Sequence, residues 1–306
     1  MIFIKPLDKF MFLAILAFVF VSSSALGITG NIPQIIPVIA KSNASYAPAP
    51  VLNENSGFPI VSAQGALAVD LESGIPLYEK NADSPLLPAS TTKIITALVA
   101  LDNYPLDMTI KVGKVSIDGQ KMGLTFGEEI KVEDLLYGLL VYSANDAAEV
   151  LAINFPGGRS KFIEEMNKKA VELSLNHSRF YNPSGLDGMG HVSTARDLIR
   201  VSEVAMRNPE FAKIVGTKSI IGKSVDQRIS HRLTNINELL GIVPGVLGVK
   251  TGWTENAREN LVTYIERDGH KVFIAILGSS DRFGETKELI DWIFTNYTWQ
   301  NVSPSN

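Results

Sequence analysis

Residues 88–101 read Pro-Ala-Ser-Thr-Thr-Lys-Ile-Ile-Thr-Ala-Leu-Val-Ala-Leu and predict the central helix of the fold. From Ser90 onward the segment is apolar nearly all round, which is typical of a helix buried in a domain centre. Ser90 and Lys93 are three residues apart, so their side chains share one helix face. Because burial disfavours the charged form of a lysine, Lys93 could be the base that activates a serine nucleophile. The alternative is a lysine that snorkels to the surface.

The segments on either side of this helix predict an α+β domain. Two strands precede it, at 65–71 and 75–79, with a turn at Ser73-Gly74. Further helices are predicted at 133–142, 145–154, 159–175, 193–207 (capped from His191-Val192-Ser193) and 284–295. Late strands are predicted at 246–251, 260–266 and 271–278, the last two joined at Asp268-Gly269. We expect the early strands to pair with the late ones in one antiparallel sheet flanked by helices, with a mostly helical middle region.

Two further short motifs place polar groups where chemistry is possible. Ser143-Ala144-Asn145 lies at the break between two predicted helices, where a hydroxyl and a carboxamide can project from a loop. Its alternative role is a helix cap, which both residue types favour. Lys250-Thr251-Gly252 lies on the first late strand, where a cation and a hydroxyl could hold a carboxylate and the glycine would let a ligand approach. Its alternative is an exposed strand end with a turn glycine.

Composition excludes several classes of function. The chain has 306 residues, 45% of them hydrophobic, and a net charge of −4, which argues against disorder and against a basic nucleic-acid binder. It has no cysteine, so disulfides, thiol catalysis and cysteine-ligated metal sites are excluded. The four histidines are scattered without an H-E-x-x-H pattern, so we expect neither a zinc site nor any cofactor.

The N-terminus predicts export. Lys5 and Lys9 precede an apolar run over residues 10–21 and then small residues, the order typical of a secretory signal. We therefore interpret 1–27 as a signal peptide or N-terminal membrane anchor and 28–57 as a proline-rich linker. Residues 58–295 would form the catalytic domain and 296–306 a short tail. The expected location is the bacterial cell envelope, secreted or attached to the membrane through the N-terminal segment.

In this order, the three motifs resemble the S-x-x-K, S-x-N and K-T-G signature of penicillin-binding proteins and class A β-lactamases. The sequence is most similar to the serine D-alanyl-D-alanine carboxypeptidases among the low-molecular-mass penicillin-binding proteins, over roughly residues 58–295. The supporting stretches are 86–90, 132–136, 143–148, 182–187, 193–198 and 245–254.

The resemblance implies a fold of the β-lactamase and penicillin-binding transpeptidase type and a peptidoglycan stem peptide as the substrate. It makes Ser90 the nucleophile, Lys93 its base and Ser143 the proton relay. It makes Asn145 and the Lys250–Gly252 segment substrate-binding, with oxyanion donors at Ser90 and Trp253. It also implies inhibition by β-lactam antibiotics through a long-lived acyl-Ser90.

Two positions depart from the family pattern. Arg258 stands where a glycine commonly follows the alanine, which puts a large side chain at the start of a strand. Ile236 occupies the middle of Asn235-Ile236-Asn237, which is sometimes a cation in relatives. A second cation for the substrate carboxylate would then come from elsewhere, and Arg282 is the candidate.

Two other functions remain open from the sequence. Glu172-Leu173-Ser174-Leu175-Asn176 formally fits the E-x-x-L-N pattern of class A β-lactamases, although Glu172 is also explained as a solvated helix residue. A catalytically inactive peptidoglycan-binding envelope protein is the other alternative. Loss of D-alanine release on Ser90→Ala would distinguish an enzyme from a binder.

Overall fold

The structure, a computed structural model, describes residues 47–54 and 56–301. The predicted signal peptide and most of the predicted linker lie outside these residues. The helices are α1 Lys93–Asn103, α2 Val132–Leu140, α3 Asn145–Ile153, α4 Gly158–Glu172, α5 Ala195–Met206, α6 Pro209–Val215 and α7 Arg282–Asn296. The strands are β1 Ala49–Leu52, β2 Gly65–Asp70, β3 Pro76–Lys80, β4 Thr109–Lys111, β5 Glu129–Lys131, β6 Ser219–Lys223, β7 Ser230–Thr234, β8 Val246–Thr254, β9 Arg258–Arg267, β10 His270–Ser279 and β11 Tyr297–Gln300.

A five-stranded antiparallel sheet in the order β3-β2-β10-β9-β8 is the backbone of the fold. The early strand β2 pairs with the late strand β10, which confirms the predicted pairing. Asp268 and Gly269 close the β9–β10 hairpin with φ of 54° and 80°, the left-handed conformation that a two-residue turn requires. This topology makes β8 an edge strand.

The two faces of the sheet contact two separate hydrophobic clusters. Along β10, Phe273, Ala275 and Leu277 pack against the helical layer, whereas the alternate residues Val272 and Ile274 pack toward α7. The period of two is the pleat of a strand buried on both faces. The fold is therefore α+β, with a sheet between α7 and a larger helical region, as predicted.

The central helix lies inside the helical layer. Its first eight residues, Lys93 to Ala100, are all buried, and it packs against α2, α3, α4 and α5. A 3-10 turn over Ala89–Thr92 precedes it, so Ser90 lies in the turn that leads into the helix. The predicted burial of this helix is confirmed, and the snorkelling alternative for Lys93 is wrong because that side chain has no exposed surface.

The described ends of the chain differ from the predicted linker and tail. Ala49–Leu52 pairs with Tyr297–Gln300 in a two-stranded antiparallel sheet, and the Trp299 indole donates to Asp70 on β2. Both segments therefore pack on the domain that the sequence limited to 58–295. Their signals are weak because each strand has only four residues and its partner is distant in the chain.

The remaining differences concern short elements. Helix α6, the pairs β4–β5 and β6–β7, and the strand pair at the chain ends were not predicted. The cap of α5 is Thr194, whose side chain accepts from the Asp197 amide, rather than the predicted segment 191–193. No helix in the described part of the chain is long and apolar enough to cross a membrane.

Candidate active site

Ser90 and Lys93 form a hydrogen-bonded pair at the start of the central helix. Lys93 Nζ lies 2.8 Å from Ser90 Oγ. Ser90 is partly exposed, whereas Lys93 is buried. Burial lowers the pKa of Lys93 to about 7, partly opposed by the negative charges of Asp146 and Glu149. A lysine with this pKa is available as a neutral amine near neutral pH, which a general base for a serine requires.

Two other acceptors fix the direction of the Lys93 amine. Its nitrogen lies 2.7 Å from Asn145 Oδ1 and 2.6 Å from the Ser184 carbonyl oxygen. A neutral amine has two N–H donors and one lone pair. When the two donors satisfy these oxygens, the lone pair faces Ser90 Oγ. The site therefore holds Lys93 in the orientation that accepts the serine proton.

Ser143 and Asn145 enter the site from the connection between α2 and α3. Ser143 has φ of 62°, a left-handed conformation that is costly for a non-glycine residue and is often found at functional sites. Its Oγ accepts a 2.8 Å hydrogen bond from Lys250. Asn145 accepts from Lys93 and donates through Nδ2 to the Asp118 carbonyl at 2.7 Å. The cap of α3 is Ala144 without a side-chain hydrogen bond, so the predicted alternative of a helix cap is wrong.

Strand β8 carries Lys250, Thr251 and Gly252 against the helix. Lys250 and Thr251 are 1% and 2% exposed, so the alternative of an exposed strand end is wrong. Burial lowers the pKa of Lys250 well below its usual value, and the positive charges of Lys93 and Arg282 lower it further. A side chain on Gly252 would place its Cβ 3.1 Å from the Ser90 amide nitrogen. Glycine therefore lets β8 pack closely against the backbone of the turn that carries Ser90.

Arg282, Trp253 and Ile236 lie around the same space. Arg282, the first residue of α7, donates from Nη1 to the Gly252 carbonyl at 3.0 Å. Burial lowers the pKa of its guanidinium, which Glu259 and Glu238 partly oppose. Trp253 is 61% exposed at the rim. Arg282, the second cation that the sequence predicts, therefore does reach the K-T-G strand.

One cavity of about 660 Å³ unites these groups. Its lining includes Ser90, Gly119, Gln120, Ser143, Asn145, Gly185, Leu186, Ile236, Thr251, Gly252, Trp253, Thr254, Glu255 and Arg282. Lys93 and Lys250 lie directly behind it, bonded to Ser90 and Ser143. The structure thus brings together all nine predicted site residues, from four different parts of the fold.

Sequence reasoning assigned no role to two neighbouring segments. The Ser184 carbonyl holds Lys93, and the loop that carries Asp118 and Gln120 accepts from the side chain and backbone of Asn145. These contacts are made by backbone oxygens, which leave no side-chain signal. The only available signal was the Asn182–Asp187 stretch, whose resemblance to the family suggested no function for it.

Glu172 and the buried His191 make other contacts. Glu172 ends α4, is exposed and pairs with Lys169 at 3.0 Å; it does not line the cavity at Ser90. His191 accepts from the Tyr181 amide through Nδ1, so its Nε2–H faces Thr92 Oγ1 at 2.9 Å, and burial lowers its pKa to about 4. The interpretation of Glu172 as a solvated helix residue is confirmed.

A serine paired with a buried lysine, next to a second serine–lysine pair, defines a site for acyl transfer through a serine. Residues 53–281 match the D-alanyl-D-alanine carboxypeptidase family, and the chain belongs to this family of serine-type hydrolases.

Several characterised relatives span most of the chain. It is 33% identical over 246 residues to D-alanyl-D-alanine carboxypeptidase DacF of Bacillus subtilis, covering 77% of this chain and 63% of the relative. It is 36% identical over 242 residues to DacB2 of Mycobacterium tuberculosis, covering 76% of this chain and 82% of the relative. The chain thus spans less than two thirds of the first relative and most of the second.

Solved structures agree with the fold. The D-alanyl-D-alanine carboxypeptidase of M. tuberculosis superposes with a TM-score of 0.74 at 33% identity, over 82% of this chain and all of that one. The DD-transpeptidase of a Streptomyces strain gives a TM-score of 0.74 at 32% identity, over 78% of this chain and 99% of that one. These similarities confirm the penicillin-binding, transpeptidase-like fold.

Proposed function

We propose that the protein is a serine carboxypeptidase that removes the terminal D-alanine from peptidoglycan stem pentapeptides through an acyl-enzyme on Ser90. One observation carries this proposal. The Lys93–Ser90 and Lys250–Ser143 hydrogen bonds, both 2.8 Å, meet at a single open cavity. The similarity to D-alanyl-D-alanine carboxypeptidases supports the choice of substrate.

Acylation uses the Ser90–Lys93 pair first and the Ser143–Lys250 pair afterwards. Ser90 Oγ attacks the carbonyl carbon of the penultimate D-alanine, and its proton passes to neutral Lys93. The bond between this carbon and the nitrogen of the terminal D-alanine then breaks. Ser143, held by Lys250, gives its proton to the leaving amine and takes up the proton that Lys93 received from Ser90, so that Lys93 is neutral again. The products are an ester on Ser90 and free D-alanine, and water later hydrolyses the ester.

The proposed substrate contacts follow from the charges of the cavity. The terminal carboxylate binds near Lys250 and Thr251, with Arg282 as a second cation. Thr251 Oγ1 is buried and has no hydrogen-bond partner among the described residues, so it is available to a ligand. Asn145 uses one Nδ2–H on Asp118 and keeps the other for the acyl part of the substrate. An incoming carboxylate favours the ionised form of Lys250, because an opposite charge nearby raises the pKa of a lysine.

The oxyanion needs two backbone donors near the reacting carbon. Ser90 lies in the first turn of a helix, where N–H groups have no intrahelical partner. Trp253 lies on β8, an edge strand, where alternate N–H groups have no strand partner. These two N–H groups are the proposed oxyanion hole.

The family supports a place in the bacterial cell envelope, where peptidoglycan is found. The export leader over residues 1–27, secretion and attachment to the membrane through the N-terminal segment are part of the proposal and rest on the sequence pattern. β-Lactam antibiotics are proposed inhibitors, because they would acylate Ser90 in place of the stem peptide. N-terminal sequencing of the protein from the envelope fraction tests the leader; a mature chain that starts at Met1 contradicts cleavage.

The test is D-alanine release from a synthetic pentapeptide ending in D-Ala-D-Ala by the full chain. We expect release by the wild type and none by Ser90→Ala. Ser84→Ala, an exposed serine six residues earlier, serves as the control and retains activity. Rapid steady-state hydrolysis of penicillin would instead indicate a β-lactamase, and binding of the peptide without any release would indicate a non-catalytic binder.

A further inference from the structure

A tight turn over residues 182–186 lies behind the Lys93 amine and is built on the side chain of Asn182. Asn182 Oδ1 accepts from the Ser184 amide, the Ser184 hydroxyl, the Gly185 amide and the Leu186 amide at 3.2, 3.0, 2.7 and 3.1 Å. Its Nδ2 donates to the Leu186 carbonyl at 2.8 Å. One side chain therefore satisfies most of the polar groups of the turn.

The turn makes three contacts with the central helix and the 3-10 turn that precedes it. The Ser184 carbonyl accepts from Lys93 at 2.6 Å, and the Pro183 carbonyl accepts from Thr96 Oγ1 at 2.7 Å. Gly185, with φ of 86°, packs so closely against the Ala89 carbonyl that a Cβ would overlap it. These contacts fix the turn against the chain from Ala89, the residue before Ser90, to Thr96, about one helical turn beyond Lys93.

We propose that Asn182 is a positioning residue for the general base: it holds the Ser184 carbonyl at the point that directs the lone pair of Lys93 toward Ser90. This inference rests on the proposed function. Two acceptors orient the Lys93 amine. The first, Asn145 Oδ1, belongs to the S-x-N motif. The second is the Ser184 backbone carbonyl, whose direction depends on the turn. Ser184 is 1% exposed, so water does not replace this carbonyl.

Asn208 provides a matched control in the same chain. Like Asn182 it precedes a proline, and its Oδ1 accepts from two backbone amides, those of Glu210 and Phe211, at 3.0 and 3.2 Å. It caps α6 and does not line the cavity. Replacing it removes the same kind of local hydrogen bonding without touching the turn behind Lys93.

The experiment measures the second-order rate constant for acylation by a fluorescent penicillin across pH, per folded molecule. Asn182→Ala should lower the plateau rate by about 10²-fold, since a displacement of about 1 Å can cost that much. It should also move the acid limb of the profile, because the surroundings of Lys93 change. Asn182→Asp keeps the acceptor oxygen and should recover the plateau rate at alkaline pH. Asn208→Ala should lower thermal stability only.

Three results would overturn the inference: an Asn182→Ala protein with the wild-type rate and acid limb, a folded Asn182→Asp protein that recovers nothing, or an equal rate loss in Asn208→Ala. If Asn182→Ala does not fold, Asn182→Ser replaces it in the same experiment. Serine keeps an acceptor oxygen on a shorter side chain, so its acylation rate should lie between those of the Ala and Asp variants. A wild-type protein that neither reacts with penicillin nor releases D-alanine would refute the proposed function instead.

Discussion

Replacing Lys93 by methionine should remove a pH dependence from the free energy of unfolding and abolish acylation. The physical reason is the pKa of Lys93, which burial lowers from 10.5 to about 7. Between these two values the unfolded chain holds a proton at this site that the folded chain releases. The free energy of unfolding of the wild type therefore rises with pH in this interval, and Lys93→Met lacks that dependence.

The magnitude follows from the size of the shift. One unit of pKa corresponds to about 1.4 kcal/mol, so the cost of burying Lys93 is about 4 kcal/mol at about pH 7. It falls to about 2 kcal/mol at about pH 9, because the proton that Lys93 releases on folding costs less to release as the pH rises. The mutation also leaves the Asn145 and Ser184 oxygens without their donor, at about 1–3 kcal/mol each. The cost of these unpaired oxygens does not depend on pH, so only the cost of burying Lys93 changes with pH.

The assay is urea unfolding of the wild type and Lys93→Met at several pH values. The difference between their free energies of unfolding should shift by about 2 kcal/mol against the mutant between about pH 7 and about pH 9. Lys168→Met is the matched control, because this lysine is exposed on α4, and its difference from the wild type should stay constant. If the difference in free energy of unfolding between Lys93→Met and the wild type is also constant with pH, the conclusion that Lys93 is buried and neutral near pH 7 is refuted.

Three further outcomes are expected. The acylation rate of the wild type should fall about tenfold per pH unit below an acid limb near the Lys93 pKa of about 7, because only the neutral amine accepts the serine proton; a rate that is flat down to acidic pH would contradict this. Glu172→Gln should leave the release of bound penicillin unchanged, since Glu172 lies outside the cavity; a large loss of penicillin turnover would restore the β-lactamase alternative. Arg258→Gly should raise the free energy of unfolding by about 1 kcal/mol, because Arg258 has φ of 60°, which glycine adopts without strain; no gain in a melting experiment would contradict this.

The grouping of the candidate active-site residues was largely predictable because these residues carry local signals. A lysine three residues after a serine in an apolar helix requires a special environment, and the structure shows that environment as complete burial. The hairpin at Asp268-Gly269 was predictable from turn chemistry, since both residues adopt positive φ readily. Even the departure at Arg258 coincides with a left-handed backbone, which glycine adopts more readily than arginine.

The rest depends on contacts between distant parts of the chain. The Ser184 carbonyl acts through its backbone, so its side chain gave no indication of the contact with Lys93. Arg282 reaches Gly252 because α7 starts beside β8, a placement that only the tertiary fold determines. Helix α6 did have a readable start, with Asn208 as the cap and Pro209 as its first residue, but it is only seven residues long.

The most direct test of the central claim is mass spectrometry of the protein after reaction with penicillin and after digestion. The account predicts one covalent adduct, located on the peptide that contains Ser90, together with free D-alanine when the stem pentapeptide replaces the antibiotic. The adduct should be absent from Ser90→Ala and present in Ser84→Ala. An adduct on another residue, or D-alanine release that persists in Ser90→Ala, would contradict a serine mechanism at this site.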